Sequence, residues 1–366
     1  FSDLIQIPGY NSVQGINLKN SLNYKYNDTI NKNNFSAGVD FNYGFSEQKL
    51  RTTGFVHKTI NYDKRQSIYV LGGSKLTQYN QNDPITDVVN AVSSLVFRKN
   101  FAKYYHKNFI SAKFNSKITD FMSGSITLSH EQRKALQNHS NANPFDIDRE
   151  YWSNNPLNRT NDAWAFETNS IYKMRLNAFF EFGNQYIKRG RSISKISNTK
   201  YPTVHVTYTN ALGTNDTDYH FETIEAQIKY SKKLAQYGNI QLQTTLTGFI
   251  NKSADLLFID YTHFNGNRTF VYNKNLNNNH FYLMPYYKYS TQENSITAHL
   301  AYNDKGIIIN KIPLLKQLQC NLIGNVNFLS TTNNSPYIEY AFGLDNLGFG
   351  KYRLLKLQYT ISNQNT

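Results

Sequence analysis

Apolar and polar residues alternate along much of this chain, with the two-residue period of a β-strand that has one apolar and one polar face. The clearest run is 171–182, in which Lys173 and Arg175 belong to the polar set. Less regular or shorter runs predict further strands at 15–26, 35–43, 50–58, 66–74, 109–115, 123–130, 203–210, 223–230, 239–249, 281–290, 297–302, 321–328 and 356–361. The pattern predicts an all-β, antiparallel protein of roughly 14 to 16 strands.

The period changes to a helical one over 82–97, where apolar residues recur three and four positions apart. Asp83 is placed to cap this helix and Pro84 to occupy its first turn. The helix belongs on a barrel rim, at a membrane surface, or partly inside a lumen as a plug. It lies in the first of three long predicted loops, at about 78–104, 133–164 and 251–279, whereas 185–197 fits either a strand or a loop.

Composition favours a membrane barrel for these strands. Aromatic residues make up 15% of the 366 residues, yet the mean hydropathy is only −0.59. A transmembrane barrel explains both values, because lipid-facing residues alternate with polar lumen residues and rings collect at the two interfaces. No run approaches the roughly 18 apolar residues of a membrane helix. A soluble β-rich secreted protein remains the rival, since alternation does not tell lipid from a second sheet.

The net charge of +14 does not indicate nucleic-acid binding, because the basic residues are scattered over many strands and loops without a basic helix or an aromatic binding motif. A cationic lumen, or contact with anionic lipid headgroups, is the better use of this charge. We expect Lys173, Arg175 and Lys356 to line the lumen. Cys320 is the only cysteine, which excludes an intrachain disulfide and a thiolate metal cluster, so we interpret it as a small apolar residue.

Residues for catalysis or metal binding are present but not arranged for either. None of the nine histidines forms an H-x-x-x-H or H-E-x-x-H motif. Ser129 and His130 are adjacent, so on a strand they point to opposite faces. Asp260 and His263 supply residue types only. We therefore predict no enzymatic activity, no metal and no cofactor.

Two groups of motifs resemble one known family. Near the start, Tyr10 opens the segment Y-N-S-V-Q-G-I-N-L; near the end come N-K-I-P-L-L, P-Y-I-E and G-L-D-N, beginning at Asn310, Pro336 and Gly343. Their order resembles the C-terminal barrel of an uncharacterised Gram-negative outer-membrane family in which a carboxypeptidase-regulatory-like, transthyretin-like domain precedes the barrel. The resemblance implies structural roles for Tyr10, Asn11, Gly15, Asn310, Pro313, Leu314, Pro336, Tyr337, Glu339 and Gly343.

The same resemblance implies one outer-membrane barrel domain over 1–366. Because the family continues into one more aromatic-rich strand, and because the chain opens at Phe1 without Met or a leader, we expect the fragment to lack its closing strand and its upstream part. The expected partners are outer-membrane lipid and a periplasmic domain or other envelope proteins. The long loops favour an anchor, scaffold or assembly component; the polar, cationic face favours a passive or gated channel. Alternation alone does not decide between them.

Overall fold

The computed structural model describes residues 8–28, 33–160, 164–189, 192–196, 200–214, 218–269, 279–350 and 352–364. Within them are seventeen strands: β1 (Gly9–Asn11), β2 (Gly15–Asp28), β3 (Asn33–Gly44), β4 (Lys49–Asn61), β5 (Gln66–Gln78), β6 (Tyr104–Lys117), β7 (Met122–Ala135), β8 (Asn169–Glu181), β9 (Gln185–Arg189), β10 (Ser192–Ile196), β11 (Thr203–Gly213), β12 (His220–Lys233), β13 (Asn239–Lys252), β14 (Ser295–Asn303), β15 (Asn321–Thr331), β16 (Asn334–Phe349) and β17 (Tyr352–Ser362). The helices are α1 (Asp87–Phe97) and α2 (Pro313–Lys316), with single 3₁₀ turns at Ala235–Tyr237, Phe258–Asp260 and Ile309–Lys311.

Fifteen of these strands form one antiparallel sheet in which neighbours in sequence are neighbours in space, and β9 and β10 form a separate hairpin between β8 and β11. The all-β, antiparallel prediction is confirmed, and the fifteen strands of this sheet fall inside the predicted range of 14 to 16. Each connection is local, so an up-and-down meander accounts for the whole sheet. Neither helix in the described part of the chain has the length and apolarity needed to cross a bilayer.

The two faces of the sheet differ as the alternation predicts. In β17 the side chains of Leu355, Leu357 and Tyr359 are each more than 60% exposed, and on β8 Tyr172 and Leu176 are also exposed, whereas Lys173 between them is buried. Rings gather on the apolar face near one sheet end, where Phe121 and Phe182 stack at 5.7 Å between centroids. An apolar outer belt with an aromatic rim is the surface that lipid requires.

Connection lengths distinguish the two ends of the sheet. Residues 79–103, 136–168 and 253–294 all join strands at one end, called here the long-loop end. The opposite, short-loop end carries tight turns such as 62–65 and 118–121, the β9–β10 hairpin and the segment 304–320. In a meander every second connection falls at the same end, and the three longest connections of this chain all belong to one of the two sets.

The segment 253–294 is called here the inserted loop, and the sheet curls around its described residues, 253–269 and 279–294. Its Asp260 contacts Arg133 of β7 at 2.6 Å, and its Tyr282 backbone N–H reaches Glu339 of β16 at 2.7 Å. Strands that are seven places apart in the sheet order therefore face the same segment, which makes the polar face the wall of a lumen. In the described residues, β17 pairs with β16, and β2 pairs with β1 and β3, with no backbone pairing between the two sheet ends.

Two local predictions were wrong. Helix α1 begins at Asp87 and its N-cap is Thr86, whose hydroxyl accepts the Val89 N–H; Asp83 instead adopts a left-handed backbone conformation in the preceding turn. The predicted strand at 281–290 is irregular, because this part of the inserted loop hydrogen-bonds to side chains inside the barrel rather than to a neighbouring strand. The third long loop consequently runs to residue 294 instead of 279.

Candidate functional site: the inserted loop and the lumen

The inserted loop carries its own apolar core against the barrel wall. Phe264, Phe281, Met284 and Tyr289 of the loop are buried together with Leu329 of β15 and Tyr337 of β16. The Phe281 ring meets the Tyr337 ring at 5.8 Å between centroids. Side chains on the lumen face of a water-filled channel would be polar, so apolar residues at these inward positions indicate that this part of the lumen is filled.

Glu339 attaches one side of the loop to the wall. Its carboxylate, which is fully buried, accepts the backbone N–H groups of Tyr282 and Leu283, both at 2.7 Å. It also accepts the Tyr337 hydroxyl at 2.6 Å and the Asn327 amide at 3.3 Å. A carboxylate that accepts several hydrogen bonds is well compensated for its burial, and its charge strengthens each bond.

A buried charge cluster attaches the other side. Both Asp260 oxygens accept the Arg133 guanidinium at 2.8 and 2.6 Å, and Lys173 of β8 donates to one of them at 3.1 Å. The Tyr219 hydroxyl, just before β12, donates to the other at 2.5 Å. The Arg133 and Asp260 side chains are each only 1% exposed.

The cluster continues along the wall through Glu131, which lies 3.2 Å from Lys107 and 3.6 Å from Lys173. Burial alone would raise the pKa of Asp260, but Arg133 and Lys173 outweigh it and hold the pKa of this carboxyl below its ordinary value. Burial, together with the Asp260 charge, raises the pKa of Tyr219. At neutral pH the Asp260 carboxylate is therefore ionised, and it is bound by the Arg133 and Lys173 cations and by the neutral Tyr219 phenol.

Residues at the long-loop end close over the inserted loop. Phe101 packs against Trp152 and against Tyr286 of the inserted loop, at 5.7 and 5.6 Å between centroids. The Asn80 amide donates to the Phe264 carbonyl and to the Asn265 side chain. Helix α1 lies at this end against β1, and its Asp87 pairs with Lys19 of β2. Of the three places open to this helix, the structure favours the barrel rim, and the lumen is filled instead by the described residues of the inserted loop, 253–269 and 279–294.

The predicted lumen residues occupy different settings. Lys173 is buried in the charge cluster. Arg175, two residues along β8, is exposed to a cavity of about 410 Å³ beneath the inserted loop. Lys356 lies on the face of β17 opposite Leu355 and Leu357, with its ammonium 5.7 Å from the centroid of the Tyr282 ring.

The motif residues of the first strands form a tight turn. The Asn11 side chain accepts the N–H groups of Val13 and Gln14, while the Tyr10 hydroxyl lies within hydrogen-bond distance of Ser140 and Tyr151. Gly15 has a φ of +67°, and a Cβ there would meet the Ser46 side chain at 2.0 Å. A glycine is therefore required where β1 turns into β2.

The C-terminal motif residues hold β16, β17 and the short-loop end. Asn363 donates to the carbonyl of Pro336 at 2.9 Å, and a Cβ on Gly343 would meet the Leu357 carbonyl at 2.1 Å. Asn310 lies in a 3₁₀ turn, and Pro313 and Leu314 begin α2.

The histidines do not assemble a catalytic or metal site among the described residues. His263 Nδ1 lies 2.7 Å from the Ser290 hydroxyl, but Asp260 is already bound by Arg133 and Lys173 and does not orient this imidazole. Ser129 is in register with the inward-facing Lys173 of β8, whereas the His130 ring contacts the exposed Tyr172 ring at 4.8 Å between centroids. His299 of β14 is buried against Phe281 and Asn327. The described residues contain no group of three or more His, Cys, Asp or Glu that could hold a metal ion.

The attachment of the inserted loop was missed at the level of sequence. Arg133 and Glu131 extend the polar face of β7 beyond the predicted strand end at 130, so continuing the alternation would have placed both charges inside. No sequence signal pairs them with Asp260, which is 127 positions from Arg133.

Comparison with known proteins agrees with this architecture. One family model matches residues 1–344, and its description is "Family of unknown function (DUF5686) C-terminal domain". The structure is similar to BamA from Haemophilus ducreyi lacking POTRA domains 1–3, with 10% identity, a TM-score of 0.51 and coverage of 98% of this chain and 66% of that chain. It is also similar to CdiB from Acinetobacter baumannii, with 12% identity, a TM-score of 0.40 and coverage of 92% and 52%.

The chain thus spans about two thirds of the length of that BamA chain and about half of the CdiB chain. The likeness to BamA shows the fold alone. No curated protein matches the chain by sequence.

Proposed function

The chain belongs to the C-terminal domain of a family of unknown function, DUF5686, and we propose that it is a non-enzymatic anchor and scaffold of the bacterial outer membrane. The observation that carries this proposal is the inserted loop. It is attached to β7 and β8 through Asp260 and to β16 through Glu339, and it buries apolar side chains where an open channel needs water. An apolar belt on the outside and a filled lumen on the inside suit a protein whose task is to be held in the membrane.

A gated channel is the second candidate, and a specific observation favours it. Beneath the inserted loop the lumen opens into cavities whose walls carry Lys113, Arg175 and other polar side chains. Displacement of the loop would join these cavities to the long-loop end. The resulting pore would prefer anions, because cations line its wall.

Planar-bilayer conductance of the refolded protein tests the scaffold proposal. The wild type should be silent while still showing the heat-modifiable migration of a folded barrel. Replacing 253–294 by a short turn should produce stable unit steps with anion preference. Stable conductance steps from the wild type, equal to those of the loop deletion, would contradict the scaffold proposal.

Two matched variants show whether the buried charge cluster, by attaching the inserted loop, is what keeps the wild type silent. Asp260→Asn removes the charge that binds Arg133 and Lys173 and should give intermittent openings. Asp148→Asn removes a charge from an exposed position in the 136–168 connection and should stay silent. Equal conductance from both variants would show that the openings do not arise from the charge cluster.

The anchored part, on this proposal, is a periplasmic carboxypeptidase-regulatory-like domain, with outer-membrane lipid and envelope proteins as further partners. In that arrangement the long-loop end faces outward, because extracellular connections of such barrels are longer than periplasmic turns. Cysteines introduced at Asn158 or at Asp63, in the two opposite ends, would test it in intact cells. An impermeant maleimide should label Asn158→Cys and not Asp63→Cys. Labelling only at Asp63→Cys would show that the orientation is the opposite of the one proposed.

A further inference from the structure

Two cavities of about 410 Å³ each lie along the lumen between the inserted loop and the short-loop end. Asn177 and His205 line both of them, so the two cavities adjoin, and together they are called here the passage. Asp260 and His263 of the inserted loop line the upper cavity, and Lys117 and Asp120 line the lower one. Because the lower cavity lies beside the 118–121 turn, the short-loop end is the side from which a solute would reach the passage.

Strand register places two cations at one level of the passage. Thr127 of β7 pairs with Lys113 of β6 on one side and with Arg175 of β8 on the other. Two strand spacings, about 10 Å, separate the backbones of the two basic residues. Their long side chains point to the same lumen and can converge on one ligand.

The charges of Lys113 and Arg175 are not used to hold the fold. Among the described residues neither has an acidic group within 4 Å, whereas Lys173 and Lys107 nearby are both in ion pairs. The acidic residue of the cavity that interacts with Arg175 at longer range is Glu225, which also interacts with Lys229. Positive charge therefore remains for a ligand at this level.

Hydroxyl and amide groups fill the wall between and around the two cations. Ser125, Thr127 and Ser129 alternate with the exposed outer residues Ile126 and Leu128 and so face the lumen. The Asn177 amide donates to Ser125 at 3.2 Å, and Lys173 is registered with Ser129. Guanidinium, ammonium and hydroxyl donors together match the oxygens of a phosphate group, which takes two donors from arginine in parallel and single donors from the others.

We propose that the lumen binds a small phosphate-bearing solute between Lys113 and Arg175. Lys113 lines the lower cavity and Arg175 the upper one, and the volume of each falls within the range of small-molecule sites. Asn177 lines both cavities and Ser125 the lower one, while Thr127 is registered with both cations on the wall. The site is independent of whether the inserted loop ever opens, since it is reached from the opposite end.

Calorimetric titration of the refolded wild type with pyrophosphate, in a phosphate-free non-ionic detergent, tests the site. Saturable binding is expected, and Lys113→Gln and Arg175→Gln should each weaken it about tenfold, the loss that follows from removing one charge-assisted contact. The matched control is the double variant Lys25→Gln and Lys356→Gln, which removes two lumen cations from β2 and β17. It should change the affinity less than about threefold. Heat-modifiable migration shows that each variant is folded.

Three outcomes overturn the proposal. The first is no saturable binding of pyrophosphate to folded wild type. The second is an equal loss in the control variant, which would assign the effect to the general field of the lumen. The third comes from a parallel titration with phosphatidic acid in the same micelles: binding of this lipid alone, unaffected by Arg175→Gln, would place the phosphate contact on a lipid headgroup outside the barrel.

Discussion

Single buried residues decide how the inserted loop is held, and Glu339 is the clearest case. Its carboxylate satisfies two backbone N–H groups that have no strand partner, and it does so in a fully buried position. An unsatisfied buried donor costs about 1 to 3 kcal/mol. One side chain therefore replaces the ladder of hydrogen bonds that a strand at 281–290 would have supplied.

We expect Glu339→Gln to lower the free energy of unfolding by about 2 kcal/mol, because the amide has one acceptor oxygen and no charge to offer these donors. The midpoint of heat-modifiable migration, or of urea unfolding in micelles, measures the effect. Glu150→Gln, at an exposed position, is the control and should shift the midpoint little. An unchanged midpoint in Glu339→Gln would contradict the role given to this carboxylate.

Glycine positions give a second test at this scale. A Cβ on Gly343 would meet the Leu357 carbonyl at 2.1 Å, so Gly343→Ala must push β17 away from β16. On β15, a Cβ on Gly324 would find no atom within 4 Å. We expect Gly343→Ala to destabilise the barrel by about 2 kcal/mol and Gly324→Ala to be neutral or slightly stabilising. Equal unfolding midpoints for the two variants would show that β17 adjusts without cost.

At the scale of elements, most strands could be predicted from sequence, whereas β16 and the inserted loop could not. Alternation such as that of 171–182 indicates which face of a strand contacts lipid. Every strand that crosses the membrane needs one apolar face, so the same pattern recurs in each of them. The loop obeys no such period. Its position follows from Asp260 and Glu339 finding partners far along the chain, which a local pattern does not encode. The strand predicted at 281–290 is absent because the apolar and aromatic side chains of this segment pack inside the barrel and do not face lipid.

The same candidate site was partly visible in sequence. Lys173 and Arg175 share a polar face, and so both were predicted to line the lumen. Their different surroundings, an ion pair for one and an open cavity for the other, depend on Asp260 reaching only the first. That distinction requires the tertiary fold.

The inserted loop should respond to acid through its histidines rather than through Asp260. Burial lowers the pKa of His263 to about 4, and burial, with the neighbouring His299 and Lys356, lowers the pKa of His280 to about 3. Both are neutral when the loop is docked. The undocked, solvated imidazoles take up protons near pH 6.5, so the stability that these groups contribute is complete above that pH and is lost as the pH falls towards 4.

Limited proteolysis of the inserted loop measures this response. We expect cleavage to accelerate between pH 7.5 and pH 5, by an amount equivalent to on the order of 1 to 2 kcal/mol for each histidine. Asp260 remains ionised throughout this window, because its pKa lies below the ordinary value. A protease that is active at both pH values, with a denatured substrate as the control, separates this effect from changes in the enzyme. A rate that is independent of pH would contradict the expectation.

At the scale of the whole molecule, the outer face of the barrel is suited to lipid and the inner face to a polar, hydrated lumen. Leu300 of β14 pairs with Leu242 and Val326 on the apolar outer face. Gln241, one residue from Leu242, faces the lumen. The same change in charge should therefore have different consequences at neighbouring positions on β13 and β14.

We expect Leu300→Arg to cost about 2 to 4 kcal/mol, the depth-dependent penalty for a charge at the lipid face of a barrel. Gln241→Arg should be nearly neutral, because its side chain remains in a polar environment. Urea unfolding in lipid vesicles measures both. A comparable penalty at Gln241 would contradict the assignment of the two faces.

The position of the inserted loop also links the curvature of the sheet to the docking of the loop. The loop is enclosed between the β7–β8 wall and β16, and its two ends continue directly into β13 and β14. β7 and β16 are seven places apart in the sheet order, so a flat sheet could not bring Arg133 and Glu339 to the same segment. The docked loop therefore stabilises the curled sheet, and the curled sheet in turn holds the loop. Loss of the Asp260 and Glu339 contacts should loosen the curvature as well as free the loop.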